Sequence, residues 1–382
     1  MGKLLKKVKR KVQNLIIFKR KILNQKSTNL EDRGFLENHE YELYNLLENI
    51  KTSEENLDEL NLRVSRNIKK MLNKNLITMD DLSLLISGKL IYNKTGLTPD
   101  NVQQLMVDGY CKSNGLFQKV FYDFMFKDFK REPLVGTIKS DVFGDFTAKQ
   151  IEELASVIDG NGYVVLPKVV KREYVESLKE WSYDIKYRTI GNDEKTSYVD
   201  KVDFSNPGCV TANAIEADLL QNKEVMSLIN DPVLLAIISR YLGVEPVLIH
   251  LCMWWSFVNQ KQEASSEAAQ LYHYDLDHMK WLKVFFYLSD VTTEQGPHTY
   301  IPASHKIGQK NYKILQRGYA RVTDAEMKDM QSEESCSLLG EAGTVIIGDT
   351  KCFHKGTPVV AGSRLVLQPT FGPSEFLKKL VK

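Results

Sequence analysis

Gln270-Leu271-Tyr272-His273-Tyr274-Asp275 is the stretch on which the reading of this chain turns. His273 and Asp275 stand two positions apart. In an extended strand alternate side chains leave the same face, so both can reach one ion. A second histidine, His354, follows the apolar run Val345-Ile346-Ile347-Gly348-Asp349, and Arg364 lies ten positions beyond it. Two histidines and one carboxylate occupy one face of an Fe(II) ion and leave the opposite face open. The arginine suits the carboxylate of an organic co-substrate, such as a 2-oxo acid, that fills two open positions and leaves the third for O2. An HxD pair by itself says little, and a lone strand histidine is most often structural. The four residues in conjunction predict a non-haem iron oxygenase.

The surroundings of the motif have a β texture. Residues 247–257, 282–288, 344–347 and 365–370 are short apolar runs with turn residues between them, which predicts a barrel or double-sheet jelly roll. Upstream, Thr147-Ala148-Lys149-Gln150 has the pattern of a capping box opening a helix. Residues 162–167 read as a short buried strand.

Residues 27–139 read as a helical N-terminal domain. Thr52-Ser53-Glu54-Glu55 is a capping-box pattern before Leu57, Leu60, Val64, Ile68, Met71 and Leu72. Thr98-Pro99 reads as an N-cap with proline at the first helical position. Helical spacing recurs through Val102, Leu105 and Met106, and through Val120, Phe121, Phe124 and Met125. Breakers between 133 and 144 place the boundary there, so residues 140–382 form the jelly-roll domain and the fold class is α+β.

Charge is distributed unevenly. Of 51 basic residues ten fall within positions 1–30, and the first acidic residue is Glu31. The remainder therefore carries 41 basic against 49 acidic residues, a net of −8. This argues against a nucleic-acid-binding body and confines any polyanion contact to the N-terminus. Residues 1–26 read as a basic amphipathic helix, with Leu4, Leu5, Val8, Val12, Leu15, Ile16, Ile22 and Leu23 at helical spacing. Residues 3–25 either make a peripheral membrane contact or pack on the acidic body or a partner subunit. The five cysteines are widely spaced and include no CxxC pair, which points to reduced thiols and no zinc knuckle. No apolar run approaches the length of a membrane span. The expected location is cytoplasmic, with the membrane surface as the alternative.

Several segments resemble the phytanoyl-CoA dioxygenase-like (PhyH) family of Fe(II)/2-oxoglutarate oxygenases. They are Phe146-Thr147-Ala148-Lys149-Gln150-Ile151, Gly162-Tyr163-Val164-Val165-Leu166-Pro167, Tyr272-His273-Tyr274-Asp275 and Phe285-Phe286-Tyr287-Leu288-Ser289-Asp290. Gly296-Pro297-His298-Thr299-Tyr300-Ile301-Pro302-Ala303-Ser304-His305-Lys306 and the stretch from His354 to Arg364 complete the set. The resemblance spans roughly residues 145–372. It implies a double-stranded β-helix holding Fe(II) on His273, Asp275 and His354, with 2-oxoglutarate and O2 as co-substrates. It also implies that Arg364 pairs with the distal carboxylate of 2-oxoglutarate through two parallel bonds.

Two departures from the family pattern stand out. Ala303 replaces the usual glycine of the Ser-His segment. Val366 stands where related oxygenases often carry a serine that assists the carboxylate. The helper then comes from elsewhere, and Thr299, Tyr287 and Lys283 are the candidates. Related halogenases lack the carboxylate that Asp275 supplies, so the expected reaction is hydroxylation of an aliphatic C–H bond with release of succinate and CO2. Desaturation or oxidative cyclisation by the same site is the alternative, and a non-catalytic binding protein on the same fold is the rival from another class. Candidate substrate contacts are Asp277, His278, Trp255 and His298, with Trp254, Trp281 and Phe286 as further walls. His305 reads as a loop brace, and residues 259–270 as a polar lid. The expected substrate is a small molecule, lipid-linked or glycan-type. The oligomeric state is not legible in the sequence.

Overall fold

The computed structural model describes residues 59–377 apart from 127–131, 192, 194, 260–263, 265–267, 319 and 331–333. The basic helix expected over residues 1–26, the capping box at Thr52 and most of the expected lid lie outside the described residues. Glu59–Lys382 form one compact unit, helices and sheets together.

Among the described residues four helices come first: α1 (Glu59–Asn73), α2 (Met79–Thr95), α3 (Asp100–Ser113) and α4 (Leu116–Met125). Helix α2 is opened by a reciprocal capping box between Thr78 and Asp81 and closed by Gly96 in the left-handed conformation. The start of α3 differs from expectation. The helix begins at Asp100, so Pro99 is the N-cap and lies outside the first turn. The Thr98 hydroxyl is engaged elsewhere, accepting a hydrogen bond from the Leu377 N–H at 2.8 Å. Val102, Met106 and Tyr110 of α3 and Phe117, Val120 and Phe121 of α4 are buried.

After the small pair β1 (Thr137–Ile138) and β2 (Phe146–Thr147), α5 (Ala148–Asn161) starts at the capping box read from the sequence. The Thr147 hydroxyl accepts from the Gln150 N–H, and the Gln150 side chain accepts from the Thr147 N–H. The helix ends at Gly162, whose φ is +89°. A Cβ there would lie 2.2 Å from the Cys352 sulfur, so only glycine fits this turn.

The chain then builds two sheets. The larger has eight strands in the order β3-β11-β8-β13-β7-β6-β4-β5. These are β3 (Tyr163–Leu166), β4 (Tyr187–Gly191), β5 (Thr196–Val199), β6 (Cys209–Ala214), β7 (Val247–Phe257), β8 (Leu282–Tyr287), β11 (Val345–Gly348) and β13 (Ser363–Gly372). The smaller sheet runs β10-β9-β12, from β9 (His298–Tyr300), β10 (Cys336–Leu338) and β12 (His354–Gly356). Every pairing between these strands is antiparallel. Around them lie α6 (Arg172–Trp181), α7 (Glu216–Leu219), α8 (Lys223–Ile229), α9 (Pro232–Leu242), α10 (Tyr312–Leu315) and α11 (Asp324–Met330).

Strand alternation divides the core. Leu282, Val284 and Phe286 of β8 join Trp255, Leu365 and Leu367 in the cluster that also holds Ile151 and Ile158 of α5 and Val233 and Ile237 of α9. Phe285 and Tyr287, one residue out of phase, join Ile346 and Val366 against Tyr300 and Leu338 of the smaller sheet. A strand buried on both faces reads as a nearly continuous apolar run, which is why residues 282–288, interrupted only by Lys283, were legible. Strands β9, β10 and β12 are three residues each, too short for any pattern to show. Among the described residues no single helix is long and apolar enough to cross a membrane. The bent pair α8–α9 qualifies only jointly, and its Val225, Leu228, Val233 and Ile237 are buried in the core.

Ala303 has φ +59°, the left-handed conformation that favours glycine. Its N–H donates to Asn161 O at 2.7 Å and its carbonyl accepts from the Lys306 N–H at 3.1 Å, so both neighbours hold the turn. Ala303→Gly is expected to raise the unfolding free energy by about 1 kcal/mol, read from the denaturant midpoint.

Candidate active site

His273 and His354 meet across a backbone bridge. The His273 N–H donates to His354 O at 3.0 Å, and the His354 N–H returns to His273 O at 2.9 Å. Residues that exchange both bonds project their side chains to one side, and the two imidazole centroids lie 4.2 Å apart. Asp275 is two residues on, and its N–H is anchored to Thr350 O at 2.8 Å. His273 Nε2 lies 3.8 Å from Asp275 Oδ1, and His354 Nε2 lies 3.6 Å from Asp275 Oδ2. One ligand atom from each of the three residues falls within 4.8 Å of the others, and all three residues are buried.

The imidazoles are pre-set for a metal. His273 Nδ1 is 2.9 Å from Leu271 O, and His354 Nδ1 is 2.9 Å from Cys352 O. A carbonyl only accepts, so each Nδ1 carries the hydrogen and each Nε2 presents its lone pair to the centre. Burial lowers the pKa of both rings, that of His273 well below the usual value, which keeps them in the neutral, ligating form. Burial acts to raise the pKa of Asp275. The Lys283 ammonium and the two imidazoles outweigh it and hold the carboxyl well below its ordinary value. Two neutral nitrogens and one carboxylate, preorganised and buried, fit Fe(II).

Arg364 of β13 lies opposite Ser256 of β7 and donates from Nη2 to its hydroxyl at 3.2 Å. Its Nε and Nη1 are buried without a hydrogen-bond partner. Leaving donors of a charged group unsatisfied costs on the order of 1–3 kcal/mol each, so a bound anion is the natural completion of this pocket. A carboxylate supplies two acceptors in the geometry of the guanidinium fork.

The three expected helpers are engaged elsewhere. Lys283 Nζ is 2.6 Å from Asp275 Oδ2 and 3.1 Å from Asp277 Oδ2, so it braces the Asp275 carboxylate. The Tyr287 hydroxyl donates to Leu338 O at 2.8 Å and accepts from the His298 N–H at 3.2 Å. Thr299 pairs in register with Lys355, and its hydroxyl lies 3.2 Å from Ser337 and 3.0 Å from Thr357. Its neighbours His298 and Tyr300 are on the other face of β9, where Tyr300 lies opposite His354. The His298 ring is 4.0 Å from Phe285 and 6.5 Å from His354, and its Nδ1 is buried without a partner. The Tyr300 ring is 5.4 Å from His354, and its hydroxyl is likewise buried and unpartnered. Strand parity within His298-Thr299-Tyr300 therefore turns the Thr299 side chain to the face of β9 opposite Tyr300 and His354.

Of the other candidates, Asp277 stays beside the site through Lys283. His278 is a brace: its Nδ1 accepts from the Met279 N–H at 2.9 Å and its Nε2 donates to Ser374 O at 3.1 Å. Trp255 packs on the helix-covered face of the large sheet, 4.9 Å from Phe204, and donates from Nε1 to Ser182 at 3.2 Å. Trp254, in the opposite phase, packs with Tyr287 and Val366 between the sheets. Phe286 shares the Trp255 face, and Trp281 donates to the Thr350 hydroxyl at 2.9 Å. His305 contacts Asp159 O at 3.1 Å and the Cys352 sulfur at 3.4 Å, bracing its loop.

A cleft of about 1150 Å³ opens beside the triad. Its lining includes Asp275, Asp277 and Lys283 together with Gln103, Asp108 and Lys112 of α3. The α3 wall is invisible to motif reading, because nothing in its sequence marks it as facing a metal site.

The sequence model of the family described as Phytanoyl-CoA dioxygenase (PhyH) matches residues 158–364. No curated protein matches the chain. Among solved structures, similarity is found to the non-heme alpha ketoglutarate dependent epimerase SnoN from nogalamycin biosynthesis. The identity is 17% and the TM-score 0.43, covering 58% of this chain and 82% of that one. The non-heme alpha ketoglutarate dependent carbocyclase SnoK from the same biosynthesis matches at 16% identity and TM-score 0.39, over 58% and 86% of the two chains. Apo HygX from Streptomyces hygroscopicus matches at 17% identity and TM-score 0.41, over 59% and 87%.

Arg364→Ala is expected to raise the 2-oxoglutarate concentration for half-maximal succinate release by roughly tenfold or more, the loss of a charged hydrogen-bond pair. His278 supplies a pH dependence. Burial lowers its pKa from the ordinary 6.5 to about 4, so the unfolded chain takes up the proton first as pH falls. Its stabilising contribution is complete above pH 6.5 and is lost as pH falls toward 4. In His278→Gln, the slope of unfolding free energy against pH across that window is expected to flatten in urea titrations.

Proposed function

The chain belongs to the phytanoyl-CoA dioxygenase (PhyH) family of Fe(II)- and 2-oxoglutarate-dependent oxygenases, and from that premise we propose that it hydroxylates an aliphatic C–H bond of a small-molecule, lipid-linked or glycan-type substrate. The observation that carries the proposal is the buried His273–Asp275–His354 cluster together with an Arg364 guanidinium left with two unpaired donors. Iron, 2-oxoglutarate and O2, when bound, supply the oxidising chemistry, with succinate and CO2 released. The protein positions and excludes. His273, Asp275 and His354 hold the metal, and Lys283 fixes the Asp275 carboxylate through Oδ2. Arg364 takes the distal carboxylate of 2-oxoglutarate, and His298 Nδ1 is the further polar contact. The buried rings of Phe285 and Tyr300 keep water from the centre.

The carboxylate of Asp275 supports hydroxylation, because it occupies the metal position that a halide would need. The substrate lies in the cleft between the Asp275–Lys283 edge and α3, whose Gln103, Asp108 and Lys112 suit a polar ligand. That wall lies outside the stretch shared with the family, so substrate choice is set by this chain's own helical segment. A gain of one oxygen atom in the product supports hydroxylation, whereas loss of two hydrogens points to desaturation or ring closure.

Anaerobic addition of Fe(II) and 2-oxoglutarate is expected to develop a metal-to-ligand charge-transfer absorption. His354→Ala is expected to abolish both that band and succinate formation. Undiminished succinate formation in a folded His354→Ala variant would remove His354 from the metal site. Succinate release stimulated by individual candidates then identifies the substrate.

A further inference from the structure

Lys310 is almost completely buried, at 3% exposure, although it carries a long basic side chain. Its ammonium donates to Ser304 O. It lies 5.5 Å from the ring centroid of Tyr110, 5.4 Å from that of Tyr274 and 5.2 Å from that of Phe353. Aromatic faces attract a cation, and the attraction grows when water is excluded. Burial draws the Lys310 pKa down to about 7. The neutral amine keeps its bond to Ser304, and the charged form adds the attraction of the three rings.

The partners of this ammonium are neighbours of the metal ligands. Tyr274 stands between His273 and Asp275, and Phe353 immediately precedes His354. Alternation along an extended chain turns Tyr274 and Phe353 away from the metal as it turns the ligands toward it. The two rings meet edge to face at 5.5 Å. Ser304 completes the link, its hydroxyl accepting from the Phe353 N–H at 2.8 Å and donating to Ile301 O at 2.7 Å. Helix α3 closes the cage from outside the family-matched stretch. Tyr110 stacks on Tyr274 at 5.8 Å, and Asn114 Nδ2 donates to Lys310 O at 2.9 Å.

We propose that Lys310 is a positioning residue: clamped between Tyr110, Tyr274, Phe353 and Ser304, it fixes the His273–Asp275 segment against the His354 segment and so sets the affinity of the iron site. The proposal rests on the assignment of His273, Asp275 and His354 as the iron ligands. It makes the helical segment part of the metal centre's scaffold, through Tyr110 and Asn114.

The test uses the full-length chain and anaerobic Fe(II) titration, followed by the charge-transfer band with 2-oxoglutarate. Lys310→Met keeps the volume and removes the ammonium. It is expected to weaken Fe(II) binding roughly 10- to 100-fold, the usual effect of losing a group behind a ligand. It is also expected to shift the band, and Lys310→Arg is expected to recover part of both. A folded Lys310→Met variant with parental affinity and band overturns the proposal. Should Lys310→Met not fold, Tyr110→Leu removes one ring of the cage and carries the same two readouts, where unchanged values overturn it. If the parent chain itself binds no Fe(II), the ligand assignment has failed and the clamp falls with it.

Discussion

Two backbone hydrogen bonds exchanged between His273 and His354 are the constraint on which the site depends. They join segments far apart in sequence and make the two histidines direct neighbours. Asp275 follows by strand parity, because the residue two positions on returns to the same side. The same segment brings the small sheet with it. His354 opens β12, which pairs with β9 and places Tyr300 directly opposite the histidine. His298 enters the site by the same pairing.

A second layer determines what the ligands can do. Both histidines spend Nδ1 on the carbonyl two residues earlier, so ring orientation and tautomer are set locally, before any metal binds. Lys283 gives Asp275 a cationic partner in a place where an unpaired carboxylate would be costly. Against these satisfied groups, seven side chains among the described residues bury an unpaired polar atom, and three of them, Arg364, His298 and Tyr300, lie around this site. Native interiors rarely leave such atoms alone. Their concentration around one centre marks the place where stability is given up for binding.

Much of the site was legible because it is written in short local patterns. The HxD pair needs only period two, and the distal histidine and arginine follow apolar strands that announce themselves. The strands β7, β8, β11 and β13 matched their apolar runs for the same reason. The surroundings of Arg364, where Ser256 accepts from its Nη2, were not legible. The phase of Thr299 cannot be read from a strand as short as β9, and one residue of phase moves a side chain to the opposite face. Trp255 was misplaced by the same parity, with Trp254 lying between the sheets in its stead. Nothing in the local sequence marks Lys310, whose burial depends on α3, two hundred residues away.

By itself, then, the sequence pointed to the candidate cluster of His273, Asp275 and His354, to Arg364, to the capping of α5 and to the strands that carry the core, because each is marked by a short local pattern. Only the tertiary structure decided which face each side chain of β7 and β9 presents, which polar atoms stay unpaired, and that α3 walls the cleft and cages Lys310. Those outcomes depend on pairing register and on contacts between distant segments, and neither is encoded in local periodicity.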